Sequence, residues 1–450
     1  MDKKQSNQTP VSARLAEKPV GLLQFAKSAG RNMLEVIPAE TLTQTYVKGP
    51  LNIHYFCDPE MVTDLLVGQG RSFPKAKFTK DIIGSAVGNG LILSEGEKWR
   101  QQRRRYSPLF AARNLPTLAR YFAETGDEVA ESLAEHEGPV DVAQVAPAST
   151  LTNISRVIFS GNEEVSSEQI RVGLIAYFKY ISDISLFDLM GLPKWLPRKK
   201  WLSSKAPVTK MRDLARKVIE QRRAEDRDVP RDFLDFMIEA LKTDFEDAET
   251  TIDNLLTFVV AGHETSANAI SWGLYLLALN PTEQTRIREE ILSVRPKGEI
   301  TFEDLQQLPL LRAHIRETLR LYPSAAFFAR DASEEITVKG IKIKRGDALF
   351  FPVYSLHRNQ QLWDDPDQYR PERFLGTSLP RGQYIPFGDG PRICIGAQYA
   401  ETEIMVLMAS VLRRVEFSLS SQPLPEPVLT FTMRSSGPLV LNVKAVSNAN

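Results

Sequence analysis

The chain has 450 residues, 42% of them hydrophobic and 25% charged, a composition that supports a large buried core in one or two globular domains. Lysine plus arginine equals aspartate plus glutamate at 56 each, so net charge gives no ground for nucleic-acid or bulk membrane attraction. The two cysteines, Cys57 and Cys394, stand far apart in dissimilar contexts. They exclude the disulfide framework of a small secreted domain and fit a reducing cytosol.

From Met1 to about Pro19 the chain is polar and lacks a signal-peptide core, and the longest apolar runs elsewhere fall short of the ~20 residues that span a bilayer. The expectation is a cytoplasmic, monomeric protein with a polar tail and lead-in segment over 1–40 and a single domain over 41–450. Leu51 to Phe56 reads as the first strand, and Asp58-Pro59 opens a short helix, because aspartate caps orphan amides and proline suits the first turn. After a loop containing Phe73 to Ile83, Trp99 to Phe110 is a helix with a basic face: Lys98, Arg100, Arg103, Arg104 and Arg105. Helical periodicity continues over Leu115–Leu133, Val208–Arg223, Phe233–Leu241 and Thr251–Leu279. Alternation from Glu335 to Tyr354 predicts a small sheet, and the long Pro-, Gly- and Asp-rich segment Asp364–Gly390 reads as a functional loop. A helix over Gly396–Arg413 and a hairpin-like region over Val415–Val443 close a mainly α chain with small β-sheets.

The loop Phe387-Gly-Asp-Gly-Pro-Arg-Ile-Cys394-Ile-Gly396 sets one cysteine between backbone-permissive glycines, directly before an apolar helix. Glycines admit close approach of a flat ligand, and the amides around Cys394 favour a thiolate that can ligate iron. Read alone, Cys394 is equally well a small buried hydrophobe. Position by position, however, Phe387, Gly390, Arg392, Cys394 and Gly396 resemble the signature of the cytochrome P-450 superfamily. That resemblance extends from about Leu51 to Val443 and implies the family's fold, a helical domain plus a small β-rich region. It also implies haem b (iron protoporphyrin IX) with Cys394 as metal ligand, Phe387 packed beside it, and Arg392 on a propionate.

Further motifs follow in the family's order. Glu317 and Arg320, three apart on a helical face, are by themselves a solvated pair; the resemblance joins them with Arg373 of Pro371-Glu-Arg-Phe374 into a buried structural network. Ala261-Gly-His-Glu-Thr-Ser266 puts polar groups inside the most apolar helix, which is costly unless they work or are satisfied. It resembles the family's oxygen helix, opened locally at Gly262, with Thr265 bonding to dioxygen at the haem and Glu264 relaying protons from solvent. The alternative is a cluster bonded back to its own helix. Trp99 and Arg103 resemble the family's tryptophan-arginine pair, and Arg330 is a further propionate candidate, the alternative for each arginine being a surface charge. The five histidines form no metal-ligand cluster, which argues against zinc; His263 reads as a helix-surface residue beside the groove, His314, His357 and Cys57 as structural.

By family position, the substrate pocket should draw on Phe73, Phe78, Ile82, Phe178, Phe258, Ala261, Ala326, Phe327 and Phe431, apolar types that favour a small hydrophobic substrate, though each is equally plausible as plain core. Gly88-Asn89-Gly90 lacks the strand and third glycine of a dinucleotide fingerprint, so electrons must come from a separate ferredoxin or flavodoxin with its reductase, steered by the basic helix. Leu192 to Trp201 mixes aromatics and cations, and two prolines make a solvated loop the better reading than a membrane contact. The implied activity is a monooxygenase using O2. A peroxide-driven haem peroxygenase and a non-catalytic haem sensor are the alternatives, the first disfavoured because Glu264 and Thr265 matter most when dioxygen must be protonated.

Overall fold

A computed structural model describes residues 9–446, except most of 160–205, parts of 22–30, positions 51, 71 and 137, and the stretches 226–231 and 243–246. Among the described residues the longest element is α7 (Ala248–Leu279), capped by Asp247, whose carboxylate accepts the Thr250 amide. Its second half is buried on every face, which explains why its sequence is apolar all round rather than striped. Among the described residues, the helices of ten or more residues that precede it are α1 (Lys77–Val87), α2 (Gly96–Tyr106), α3 (Leu115–Ala134), α4 (Val142–Phe159), α5 (Ala206–Ala224) and α6 (Phe233–Lys242). Then come α8 (Pro281–Val294), α9 (Pro309–Leu321) and α10 (Ala397–Arg414). Helix α7 packs on α4, α9 and α10, and α10 packs along α3, so the core surrounds α7.

A four-stranded sheet forms one side, in the order β1 (Tyr46–Lys48), β2 (Ile53–Phe56), β7 (Ala348–Phe351), β4 (Phe328–Asp331), with β2 and β7 parallel. Strand β3 (Gly138–Asp141) joins β11 (Val440–Ala445) and β8 (Val415–Leu419) in a second sheet. Two hairpins complete the set: β5 (Ile336–Val338) with β6 (Ile341–Ile343), and β9 (Pro427–Leu429) with β10 (Met433–Ser435). The expected short helix is Pro59–Thr63, with Asp58 accepting from the Met61 amide at 2.8 Å.

Three departures from the sequence expectations have physical reasons. Residues 77–87 are helix rather than loop, ending at Gly88, whose φ of +54° and contact with Asp253 leave no room for a Cβ. Asn89 and Leu91 amides then donate to Asp253 and Asn254 at 2.8 Å each, so the Gly88-Asn89-Gly90 turn is a tether onto α7. Helix α4 carries Pro147 near its start, which masks its periodicity in the sequence. The N-terminal segment docks from Pro10 onward. The Val11 amide donates to Tyr275 and its carbonyl accepts from Tyr322, the Ala13 amide donates to Tyr354, and Ala16 is buried.

Candidate active site

The cysteine loop is built to hold its sulfur at the edge of an internal cavity. Gly388 and Gly390 adopt φ of +75° and +71°, and a Cβ on Gly390 would collide with the Leu66 carbonyl. Asp389 accepts the Gly390 amide, the turn Gly390–Arg392 follows, and the Cys394 amide returns to the Phe387 carbonyl at 2.9 Å. Gly396 is the N-cap of α10, as its place before an apolar helix implied. Cys394, Phe387 and Gly396 all line the cavity, so the exposed surface of Cys394 faces inward rather than to bulk water. Burial pushes the thiol pKa up, while the Gly396 amide and the Arg103 charge pull it down toward the thiolate.

A basic rim surrounds this sulfur, drawn from four separated segments. Arg103 donates to the Ile393 carbonyl at 2.8 Å and so ties α2 to the cysteine loop. Arg392 donates to the Ser94 carbonyl at 2.8 Å, pairs with Glu95 and lies 4.0 Å over the Trp99 ring. Arg330 donates to its neighbour's carbonyl, Ala329 O, at 2.9 Å and faces the Phe328 ring. Among the described residues no carboxylate forms an ion pair with it, and burial together with Arg392 lowers its pKa to about 10. Lys75, which was not singled out, donates to the Ile92 carbonyl and is held at about 7 by burial and by Arg330 and Arg392. Buried cations with so little negative charge beside them need an anionic ligand. A flat macrocycle with carboxylates at its edge and a metal at its centre fits a rim of cations around a single sulfur.

Opposite the sulfur stands α7, with Ala261, Gly262, Thr265, Ser266 and Ala269 in the cavity wall. The helix is continuous through Gly262, so the local opening expected there is not present. The Thr265 hydroxyl is instead occupied by the Ala261 carbonyl at 2.7 Å, the back-bonded alternative. Glu264 is absent from the wall: its carboxyl lies behind it, where burial raises the pKa and Thr432 and Arg434 oppose that rise. His263 is not beside the groove either. It faces the Pro147 region of α4, Thr150 donates to its carbonyl at 3.0 Å, and burial lowers its pKa to about 4.

The cavity measures about 460 Å³ and is lined mostly by apolar side chains. Phe78, Phe258, Ala261, Phe327 and Phe431 line it, and Phe78 lies parallel to Phe327 at 6.5 Å. Phe73 and Ala326 do not. Phe73 packs into the separate apolar cluster beneath the four-stranded sheet, and strand-like alternation turns Ala326 inward while Ala325 and Phe327 face the cavity. Ile82 falls on α1 with its side chain outside the described residues, and Phe178 and the Leu192–Trp201 loop lie outside them as well. Phe110, Ile154, Val157 and Phe233 also line the cavity but were missed. The apolar spacing of Ile154, Val157 and Ile158 was the signal that could have found α4.

Behind the loop, Glu317 and Arg320 are fully buried and paired through both carboxylate oxygens at 2.7 and 2.8 Å. Arg320 also donates to the carbonyls of His357, Pro366 and Gln368, and the Arg370 amide donates to Glu317. Arg373 completes the group at 3.6 Å from Glu317. His357 accepts the Ile385 amide, His314 bonds to Tyr369, and Cys57 is buried at the end of β2. These ties hold the segment that leads into the cysteine loop.

The model of the family described as "Cytochrome P450" matches residues 43–442. Among similar curated proteins, "Cytochrome P450 4A14" of Rattus norvegicus is 30% identical over 417 residues, covering 86% of this chain and 80% of that protein. "Cytochrome P450 4A11" of Homo sapiens is 29% identical, covering 87% of this chain and 79% of its own length. "Cytokinin hydroxylase" of Arabidopsis thaliana is 28% identical over 84% of this chain and 76% of its own. The chain belongs to the cytochrome P450 family and is a monooxygenase with haem b as its cofactor.

Proposed function

We propose that Cys394 would bind the haem iron through its sulfur, that Trp99, Arg103, Arg330 and Arg392 would hold the propionates with Lys75 beside them, and that Phe387 and Gly396 would pack near the Cys394 sulfur. The observation that carries this is the shared address of the Cys394 sulfur and the under-paired Arg330, which face one cavity from opposite segments of the chain. Bound there, the haem supplies the activation of dioxygen, one atom of which enters a carbon–hydrogen or carbon–carbon double bond and the other of which leaves as water.

The protein's own part is to orient substrate and to manage protons. Phe78, Phe258, Phe327 and Phe431 offer apolar surface to a hydrophobic substrate, with Ala261 leaving space against α7. Thr265 stands at the wall as hydrogen-bond partner for the reacting oxygen, giving up its bond to Ala261, and Glu264 is the proton source behind it. Burial raises the Glu264 pKa above the ordinary carboxylate value, which favours its proton-carrying form.

Electrons come from a separate ferredoxin or flavodoxin with its reductase. Arg100 and Arg104 on α2 are exposed while Arg103 turns inward, leaving a cationic outer face for an acidic carrier. No helix among the described residues is long and apolar enough to cross a membrane. We take the protein to be cytoplasmic and monomeric, as its composition and cysteine usage suggest.

The test is turnover of a panel of hydrophobic compounds, preselected by a spin-state change on binding, with ferredoxin and reductase supplied. Oxidised product dependent on O2 and electrons is expected. Product with peroxide alone and none with the electron carriers would instead establish the peroxygenase, and binding without any product the sensor.

A further inference from the structure

Glu264 does not line the cavity, but Thr432 does, and Thr432 is fastened to the stretch of α7 that carries Glu264, where its hydroxyl opposes the burial-driven rise of the Glu264 pKa. Thr432 sits at the tip of the β9–β10 hairpin, between Phe431 of the pocket and Met433 at the start of β10. Its Oγ1 accepts from Asn268 Nδ2 at 3.0 Å, one turn of α7 beyond Glu264. With its acceptor side engaged by that amide, the hydroxyl proton is left for the carboxylate. The same tip is bolted to α7 by a second route, since the Met433 amide donates to the Ser324 carbonyl at 2.9 Å and Ser324 Oγ donates to the Thr265 carbonyl at 2.7 Å.

We propose that Thr432 is a positioning residue that holds the Glu264 carboxyl behind the cavity wall, so that occupation of the pocket at the hairpin tip is coupled to proton supply through α7. The proposal rests on Glu264 being the proton source. A ligand against Thr430 or Phe431 would press on the same turn that carries the Thr432 hydroxyl. Among the described residues the charged group that acts on Glu264 is Arg434, on β10 of the same hairpin, and the neighbouring His263 is turned to α4. Burial raises the pKa of the acid, and the two groups that oppose that rise, Thr432 and Arg434, both belong to this hairpin.

Thr432→Val keeps the shape and removes the hydroxyl, Thr432→Ser restores it, and Glu264→Gln is the control. In Thr432→Val the Glu264 carboxyl, followed by infrared titration against the Glu264→Gln background, should titrate at higher pH, because a hydrogen bond to its ionised form is gone. Product formed per electron pair should fall about fivefold with substrate affinity changed by less than about twofold, and Thr432→Ser should recover both the titration and the coupling. An unchanged titration and coupling in Thr432→Val, with Glu264→Gln impaired, would overturn the role of Thr432 alone. Intact coupling in Glu264→Gln would remove Glu264 as the proton source and this inference with it.

Discussion

Two arginines only ten positions apart in sequence show opposite ways of burying a cation. Arg320 spends its donors within the protein, on both oxygens of Glu317 and on three backbone carbonyls. Arg330 has one neighbouring carbonyl and the face of Phe328, with Lys75 and Arg392 adding repulsion. Burying a guanidinium costs several kcal/mol unless charge and hydrogen bonds compensate it. The first site is complete in itself and serves the fold; the second, in our proposal, is completed by a haem propionate.

That contrast breaks most readily at the complete site. Glu317→Gln leaves Arg320 buried without its countercharge and should cost about 3–5 kcal/mol in denaturant unfolding. A loss under about 1 kcal/mol would mean that the backbone carbonyls alone suffice.

A third buried charge site sharpens the picture. Glu403 on α10 accepts from Asn153 at 2.9 Å and is raised to about 7 by burial, with Ser266 and Asn153 opposing the rise. Because the folded protein holds this proton more tightly than the unfolded chain, whose carboxyl titrates near 4.5, the stability contribution is full below that value and fades as pH rises through 7. The slope amounts to about 3 kcal/mol at most, and Glu403→Gln should flatten it in unfolding measured across that range. An unaltered slope would show that the carboxyl is ionised in the folded state.

At the incomplete site, Arg330→Met should leave the haem-free chain as stable as before or slightly more so, yet weaken haem binding about tenfold to a hundredfold. Haem titration and unfolding of the haem-free variant measure the two effects separately. Equal haem affinity would detach Arg330 from the propionates.

What could be read from the sequence follows how locally the chemistry is written. The cysteine loop was legible because its glycines, Arg392 and Cys394 are contiguous, and the glycines are demanded by φ values and by the Leu66 contact. Long helices such as α3 and α7 were legible from periodicity, whereas Pro147 hid α4 and with it Ile154 and Val157 of the pocket wall. The rim was partly legible: arginines in known motifs stood out, but Lys75 joins them only through folding of the segment before α1. Phe73 and Ala326 were misassigned because position along the chain does not tell which way a side chain points. Glu264 was found by its motif, while the hairpin tip that holds it lies more than 160 residues away and left no sequence mark.

The central claim is a sulfur–iron bond at Cys394, and the absorbance spectrum of the reduced, carbon-monoxide-treated protein tests it most directly. A strongly red-shifted Soret band, lost in Cys394→Ser, is the expected result. A Soret band at the position typical of histidine-ligated haem, or one that survives unchanged in Cys394→Ser, would contradict the account.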